Sequence, residues 1–311
     1  MTKDASIGNL YEQPFDEIWN SKKAVEIRKK ALKACYEYCH IPFCISKSNY
    51  NIRLVPPQKD TDFKPKQKSY PKMVCIGADA ECNASCIMCR SGIYRMSDDE
   101  LETAEKRIKE LYIPILKDAK WLTLSTTADP FASRNTRLLM KTAAETYPDL
   151  KFNLITNGIL CDKFNCDDVG ITDRLSRVMV SIHAATEDTY NKVVKHGNFK
   201  KVQENLEWLK TLIDEKKLGQ LFMAFVISSK NYQDIPLFEE FAKKYNAIPL
   251  YWGCIDWGGN LSNSDEPLNI TDPSHPKHQE LLNILNSLDN KDIIANFAPP
   301  IRNLLRKKED G

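Results

Sequence analysis

From residue 73 onward, short apolar runs alternate with stretches in which apolar positions recur every three or four residues. The runs are Met73–Ile76, Trp121–Leu124, Phe152–Ile155, Val178–Ile182, Leu221–Ile227 and Ile248–Trp252. The periodic stretches are Glu100–Leu111, Arg134–Glu145, Phe199–Asp214 and Ile235–Tyr245, with Asn231 or Asp234 placed to cap the last. Runs this short and apolar read as strands, and the amphipathic stretches read as helices. Strand, helix, strand at this spacing predicts βαβ units in an α/β fold with a parallel sheet. Six repeats suit an open doubly wound sheet or part of a barrel, and periodicity alone leaves both open.

The beginning of the chain is patterned differently. Ser21 is placed to cap a helix over Lys22–Ala34, with Val25, Ile27 and Leu32 apolar. From Ser46 to Lys72 the chain turns polar, with Pro56, Pro57, Pro65, Pro71 and the basic run Lys64–Lys68. That composition predicts a solvated linker or irregular covering segment. The expected organisation is a Cys-containing segment with its linker over residues 1–68, and an α/β core with a helical tail over 69–311.

At 311 residues and about 150 residues per domain, the chain has room for two domains or one large α/β unit. Its formal net charge of +2 is too balanced for a protein that clamps a nucleic-acid backbone by charge alone, so no nucleic-acid partner is expected. No run approaches the ~20 apolar residues of a membrane span, so no membrane partner is expected either. The first twenty residues carry Asp4, Glu12, Asp16 and Glu17 and no apolar block, which is not a secretory signal. The expected location is cytoplasmic. There, ten cysteines point to metal rather than to a disulfide framework.

Six of the ten cysteines fall into two groups. Cys82, Cys86 and Cys89 form a C-x3-C-x2-C spacing directly after the first predicted strand, where parallel sheets put their active-site loops. A four-iron cluster takes four thiolates when its task is electron transfer alone. Three thiolates leave one iron open, much as catalytic zinc sites keep a free position. A zinc site completed by a distant ligand such as Cys75 or His183 is the alternative on these residues.

The triad, with the strand pattern around it, resembles the radical S-adenosylmethionine (radical SAM) enzymes over roughly residues 70–260. The resemblance implies a partial (β/α)6 barrel and a four-iron, four-sulfur (4Fe–4S) cluster on Cys82, Cys86 and Cys89. It implies SAM on the open iron, and reductive cleavage to a 5′-deoxyadenosyl radical that abstracts hydrogen from a substrate. Met88 matches a position beside the adenine, and Arg90 matches the Cys-Arg ending of one subgroup. Asp129, in Asp129-Pro130-Phe131, matches the family's carboxylate for the SAM ammonium, although Thr127 and Ala128 replace its glycines. Asn157, in Thr156-Asn157-Gly158, and Ser181 match further SAM contacts, and His183 stands where the family often has aspartate.

Residues Ile7–Ser21, followed by Cys39 and Cys44, resemble the closing half of a SPASM module, which holds auxiliary iron–sulfur clusters. An auxiliary cluster on Cys35, Cys39 and Cys44 is expected, with zinc or no metal as alternatives. The usual opening half would lie upstream of Met1, so the expectation is a fragment, a split gene product or a member that lost the cluster. SPASM kinship implies a peptide or protein substrate, with a sugar or glycan precursor as the alternative. A flavodoxin or ferredoxin is the expected electron donor. The rival is a non-enzymatic iron–sulfur or zinc scaffold on the same fold. No catalytic residue beyond the cofactor contacts is assigned.

Overall fold

A computed structural model describes residues 4–33, 38, 64–124, 128–254, 267–288 and 301. Cys35, Cys39 and Cys44 lie outside the described residues, as do Ser125–Thr127.

Two short helices open the chain, α1 (Phe15–Trp19) and α2 (Lys22–Leu32). The Ser21 side chain accepts from the Ala24 amide, as the sequence predicts for its cap, and the helix ends at Leu32 rather than Ala34. The described part of the polar stretch runs along these helices. Asn20 pairs with the Gln67 backbone in both directions, Trp19 donates to the Ser69 carbonyl, and the Tyr70 amide donates to Asp118 at 2.7 Å. Residues 67–70 therefore bridge the N-terminal helices and the core.

The core is one sheet of six parallel strands, in the order β1 (Met73–Ile76), β3 (Trp121–Leu124), β4 (Lys151–Thr156), β5 (Leu175–Ser181), β7 (Gln220–Ile227) and β8 (Ile248–Gly253). β1 and β8 are its edges and are not paired to each other among the described residues, so the sheet is an arc: a partial barrel. A two-residue ribbon, β2 (Ser85–Cys86) with β6 (Val194–Lys195), runs antiparallel outside it. The crossover helices are α3 (Asp98–Arg107), α4 (Arg134–Thr146), α5 (Lys163–Asp168), α6 (Glu187–Val193), α7 (Phe199–Asp214) and α8 (Ile235–Lys244), and α9 (His278–Ser287) follows the last strand.

One face of the sheet meets the helices. Leu122, Leu124, Phe152, Leu154, Val178, Val180, Met223 and Phe225 are fully buried there. Phe238 of α8 meets Phe225 and Tyr251 edge-on, at centroid distances of 4.9 and 5.8 Å. Side chains of opposite parity, among them Trp121, Thr123, Ile155, Met179, Ser181, Val226 and Trp252, are half-buried on the concave face. Burying this many large apolar side chains, at about 1.5–3 kcal/mol each, is the main favourable term for the fold.

Asp234 occupies the N-cap position of α8 as the sequence predicts, but its side chain makes no capping bond there. The Asp234 carboxylate accepts from the amides of Ala185 and Thr186 and from the Thr189 hydroxyl, all around the start of α6. Asn231 closes its own turn on Ser228 and donates to the carbonyls of His183 and Val226. Pro occupies the first turn of α8 instead, where its missing N–H costs nothing.

Candidate functional site

The loop between β1 and α3 carries the three cysteines at the carboxyl edge of the sheet. Several contacts hold it. Cys86 pairs with Val194 and Ser85 with Lys195 in the small ribbon, and the Ile87 amide donates to the Val193 carbonyl at 3.0 Å. The amides of Cys89 and Arg90 both donate to the Cys86 carbonyl, at 2.8 and 3.1 Å, closing a turn between the second and third thiols. Arg90 Nη1 donates to the Ala80 carbonyl at 2.6 Å, so the two ends of the loop are clipped together.

Glu81, just before the first cysteine, is fully buried. Its carboxylate accepts from the Met96 amide at 2.9 Å and from the Arg134 amide at 3.2 Å. The first of these amides precedes α3 and the second opens α4, so one carboxylate gathers two helix starts beneath the loop. Its backbone carbonyl accepts from the Asp129 amide at 3.0 Å. The sequence reading missed Glu81 and the ribbon. The one local signal is the capping box of Ser97 and Glu100, which marks the start of α3 beside Met96.

Asp129 is 1% exposed. Its Oδ2 accepts from the Thr156 hydroxyl at 2.7 Å and the Asn157 amide at 2.9 Å, and its Oδ1 from the amides of Phe131 and Ala132 at 3.1 and 3.2 Å. A carboxylate offers about four lone-pair positions, and protein donors take all of them. Burial pushes the Asp129 carboxyl up, while these four bonds pull it back down.

Asn157 lies between Asp129 and the cysteines. Its Nδ2 donates to Asn83 Oδ1 at 2.8 Å and approaches Cys82 Sγ at 3.6 Å, while its Oδ1 accepts from the Ile159 amide. The turn that aims it needs Gly158, at φ +83°. Ser181 ends β5 on the concave face, register partner to Ala224. Met88 is buried in the apolar core at 6% exposure.

His183 has left-handed backbone, φ 61°, and its Nδ1 accepts from the Val226 amide at 3.1 Å. That bond leaves the ring proton on Nε2. Burial pushes its pKa down to about 4. His275 and His278 bond backbone groups, Pro267 with Lys277 and Ile270 respectively. Cys161 and Cys166 are fully buried, with a hydrogen bond between their thiols, and Cys254 is buried. Cys75 is exposed on β1.

Cys82 and Cys86 are half-buried and Cys89 is exposed. Burial pushes the Cys86 thiol up to about 12, with Cys89 and Cys82 adding repulsion. Burial also raises Cys82. Three thiolates that repel one another on one loop are stable together only beside positive charge, which is what iron supplies. Among the described residues no three His, Cys, Asp or Glu side chains converge on one ion. A four-iron cube asks something different of them, because each thiolate takes its own iron. The donor set fits such a cluster.

Comparison with known proteins bears on this site. The radical SAM superfamily model matches residues 80–242, and that of an iron–sulfur cluster-binding domain, SPASM, matches residues 1–44. No curated protein matches. Among solved structures, Streptococcus suis SuiB bound to S-adenosylmethionine is similar at 11% identity and a TM-score of 0.47, over 70% of this chain and 47% of that one. TYW1 with a lysine-pyruvate adduct bound is similar at 16% identity and a TM-score of 0.41, over 70% of this chain and 74% of that one. Native anSMEcpe with bound AdoMet and a peptide is similar at 20% identity and a TM-score of 0.40, over 59% of this chain and 51% of that one. The chain thus spans about half the length of SuiB and of anSMEcpe. No helix among the described residues is long and apolar enough to cross a membrane. With its three-thiol loop at the carboxyl edge of a six-stranded parallel arc, and with more than half its length matched, this chain belongs to the radical SAM superfamily.

Proposed function

We propose that the chain is an enzyme that cleaves S-adenosylmethionine reductively and uses the product radical to abstract hydrogen from a peptide or protein. The observation that carries this reading is the clamped loop, which gathers Cys82, Cys86 and Cys89 at the carboxyl edge of the sheet. Cys82, Cys86 and Cys89 would hold the 4Fe–4S cluster. When bound, that cluster supplies the electron for cleavage and an open iron for the methionyl end of SAM.

The chain's own residues orient and tune. Asn157 donates a weak hydrogen bond to the Cys82 sulfur, which stabilises thiolate character there. Asp129 acts as a positioning residue, holding Asn157 and Thr156 at the end of β4. With every lone pair engaged, it is poorly suited to receive the SAM ammonium. Ser181 offers a hydroxyl on the concave face, and Met88 supports the loop from the core side. Cys35, Cys39 and Cys44 would contribute to an auxiliary cluster, and a flavodoxin or ferredoxin would deliver the electron near Cys89, the exposed thiol. The peptide class rests on the SPASM match.

The same engagement of Asp129 favours a second reading, a scaffold that binds iron and has lost SAM. Electron paramagnetic resonance on anaerobically reconstituted, reduced protein separates the two. A four-iron signal that shifts on adding SAM is expected for the enzyme, and Cys86→Ala should abolish both the signal and 5′-deoxyadenosine formation. A signal indifferent to SAM would establish the scaffold.

A further inference from the structure

The concave face of the sheet carries polar groups that the site above does not use. Thr123, Asn153, Arg177 and Gln220 are register partners across β3, β4, β5 and β7, and so form one row. Asn153 is 7% exposed. Its Nδ2 donates to Thr123 Oγ1 at 3.2 Å, and its Oδ1 is buried with no hydrogen-bond partner. On the adjacent strand Arg177 Nη1 is likewise buried and unpartnered. An unmade bond at a buried neutral group is destabilising, and at a charge more so. Two orphans side by side, one acceptor and one cationic donor, therefore mark a place prepared for something else.

A backbone irregularity puts Arg177 there. Leu175 pairs with Phe152, but Arg177 pairs with Asn153, which leaves Ser176 as an extra residue in β5. In a regular strand residues 175 and 177 would share a face. The bulge reverses the alternation, so Leu175 is buried in the core while Arg177 lies on the concave side. The strand residues of the concave face include no Asp or Glu, and Lys151 adds a second cation two residues before Asn153. Burial pushes the Arg177 pKa down, the sign of a cation held away from water without a counter-charge.

We propose that Arg177 and Asn153 anchor the free C-terminal carboxylate of a peptide. The guanidinium takes the carboxylate, and Asn153 Oδ1 accepts the backbone N–H of the same terminal residue. A carboxylate next to an N–H is the complement of a cationic donor next to an open acceptor. The inference deepens the function proposed above and rests on it for the word substrate. Asn153 lies four residues before Asn157, whose amide reaches Cys82, which is roughly 13 Å of extended strand. An anchored peptide would therefore present a position about four residues from its C-terminus to the cysteine loop.

Calorimetric titration of the reconstituted protein with N-acetyl-alanyl-alanine, its C-terminal amide, and the diamide of N-acetylglutamic acid tests this. The free acid should bind at least tenfold tighter than either other probe. Arg177→Gln should erase that preference. Asn153→Asp should erase it too, because its own carboxylate would fill the subsite from within while keeping the fold. Equal binding of acid and amide, absence of binding by the acid, equal binding of the side-chain carboxylate probe, or an unchanged preference in either variant would each overturn the proposal. Electron paramagnetic resonance of Arg177→Gln with SAM is a second readout. A retained SAM response supports a substrate role, and a lost one assigns Arg177 to SAM and overturns it. If the unmodified protein shows no SAM response, the radical function fails, and the acid-against-amide comparison still decides the anchor.

Discussion

Asn157 Nδ2 lies 3.6 Å from Cys82 Sγ, and the Asn157 backbone is held by Asp129 Oδ2 at 2.9 Å. The first thiol of the motif is thus joined by two hydrogen bonds to the buried carboxylate after β3. A donor aimed at a thiolate favours the more negative, reduced state of whatever that thiolate ligates. Asn157→Leu should therefore lower the cluster's reduction potential, by on the order of tens of millivolts for a bond worth about 1 kcal/mol. A potentiometric titration followed by electron paramagnetic resonance reads this directly, and an unchanged potential would remove Asn157 from the cluster's surroundings.

Asp129→Ala leaves the Thr156 hydroxyl and the amides of Asn157, Phe131 and Ala132 without their acceptor. Roughly 2–4 kcal/mol of stability should go with it. Iron content after reconstitution should fall as well, because the end of β4 that supports Cys82 loosens. Iron retained at wild-type level with only SAM binding weakened would make Asp129 a direct SAM contact instead.

Gly158 sits at φ +83°, and a Cβ there would come within 2.6 Å of Val180 Cγ1. Gly158→Ala combines left-handed strain with overpacking of the β5–α7 interface, and should cost roughly 2–4 kcal/mol in urea denaturation. A loss below 1 kcal/mol would mean that the turn relaxes freely.

His183 links stability to pH. Its folded pKa is pushed down to about 4 by burial, while the unfolded value lies near 6.5. The unfolded state therefore takes up a proton first as pH falls. Stability attributable to the neutral ring is full above about 6.5 and is lost progressively toward about 4, up to roughly 3 kcal/mol. His183→Asn, which tolerates the positive φ, should flatten that part of the melting temperature profile. An equal slope in the variant would place the acid sensitivity elsewhere.

The Tyr190 hydroxyl is buried and makes no hydrogen bond of good geometry, with only the Asn198 backbone as a weak partner, and burial pushes its pKa up, with Cys86 adding to the effect. Tyr190→Phe removes a poorly bonded hydroxyl and should leave the iron-free protein about equally stable. A clear loss of stability by thermal melt would reveal a partner for that hydroxyl.

Much of the architecture was legible in order. The runs at 73–76 and 121–124 and the helix at 199–214 are the observed elements to the residue. Local periodicity and capping chemistry fix such segments before any long-range contact forms. The cysteine triad was legible for a similar reason: three ligands on one short loop are a local pattern. The residues that position the loop were not. Ser85 pairs with Lys195 across 110 positions of sequence, and Glu81 joins the loop to two helix starts. Asp129 looked like a free carboxylate until the protein donors around it took each of its lone pairs. Asn231 and Asp234 looked like caps of their own helix and bond elsewhere.

By itself, the sequence determined the α/β alternation, the parallel strands and the three-thiol motif, because each depends on residues close along the chain. Tertiary structure alone decided which polar groups are already engaged and which are left open. Arg177 illustrates the division: one extra residue at Ser176 turns it from the core face to the concave face, beside Asn153. Pattern along a strand cannot report that reversal, because which side chains share a face is settled by the register with the neighbouring strand.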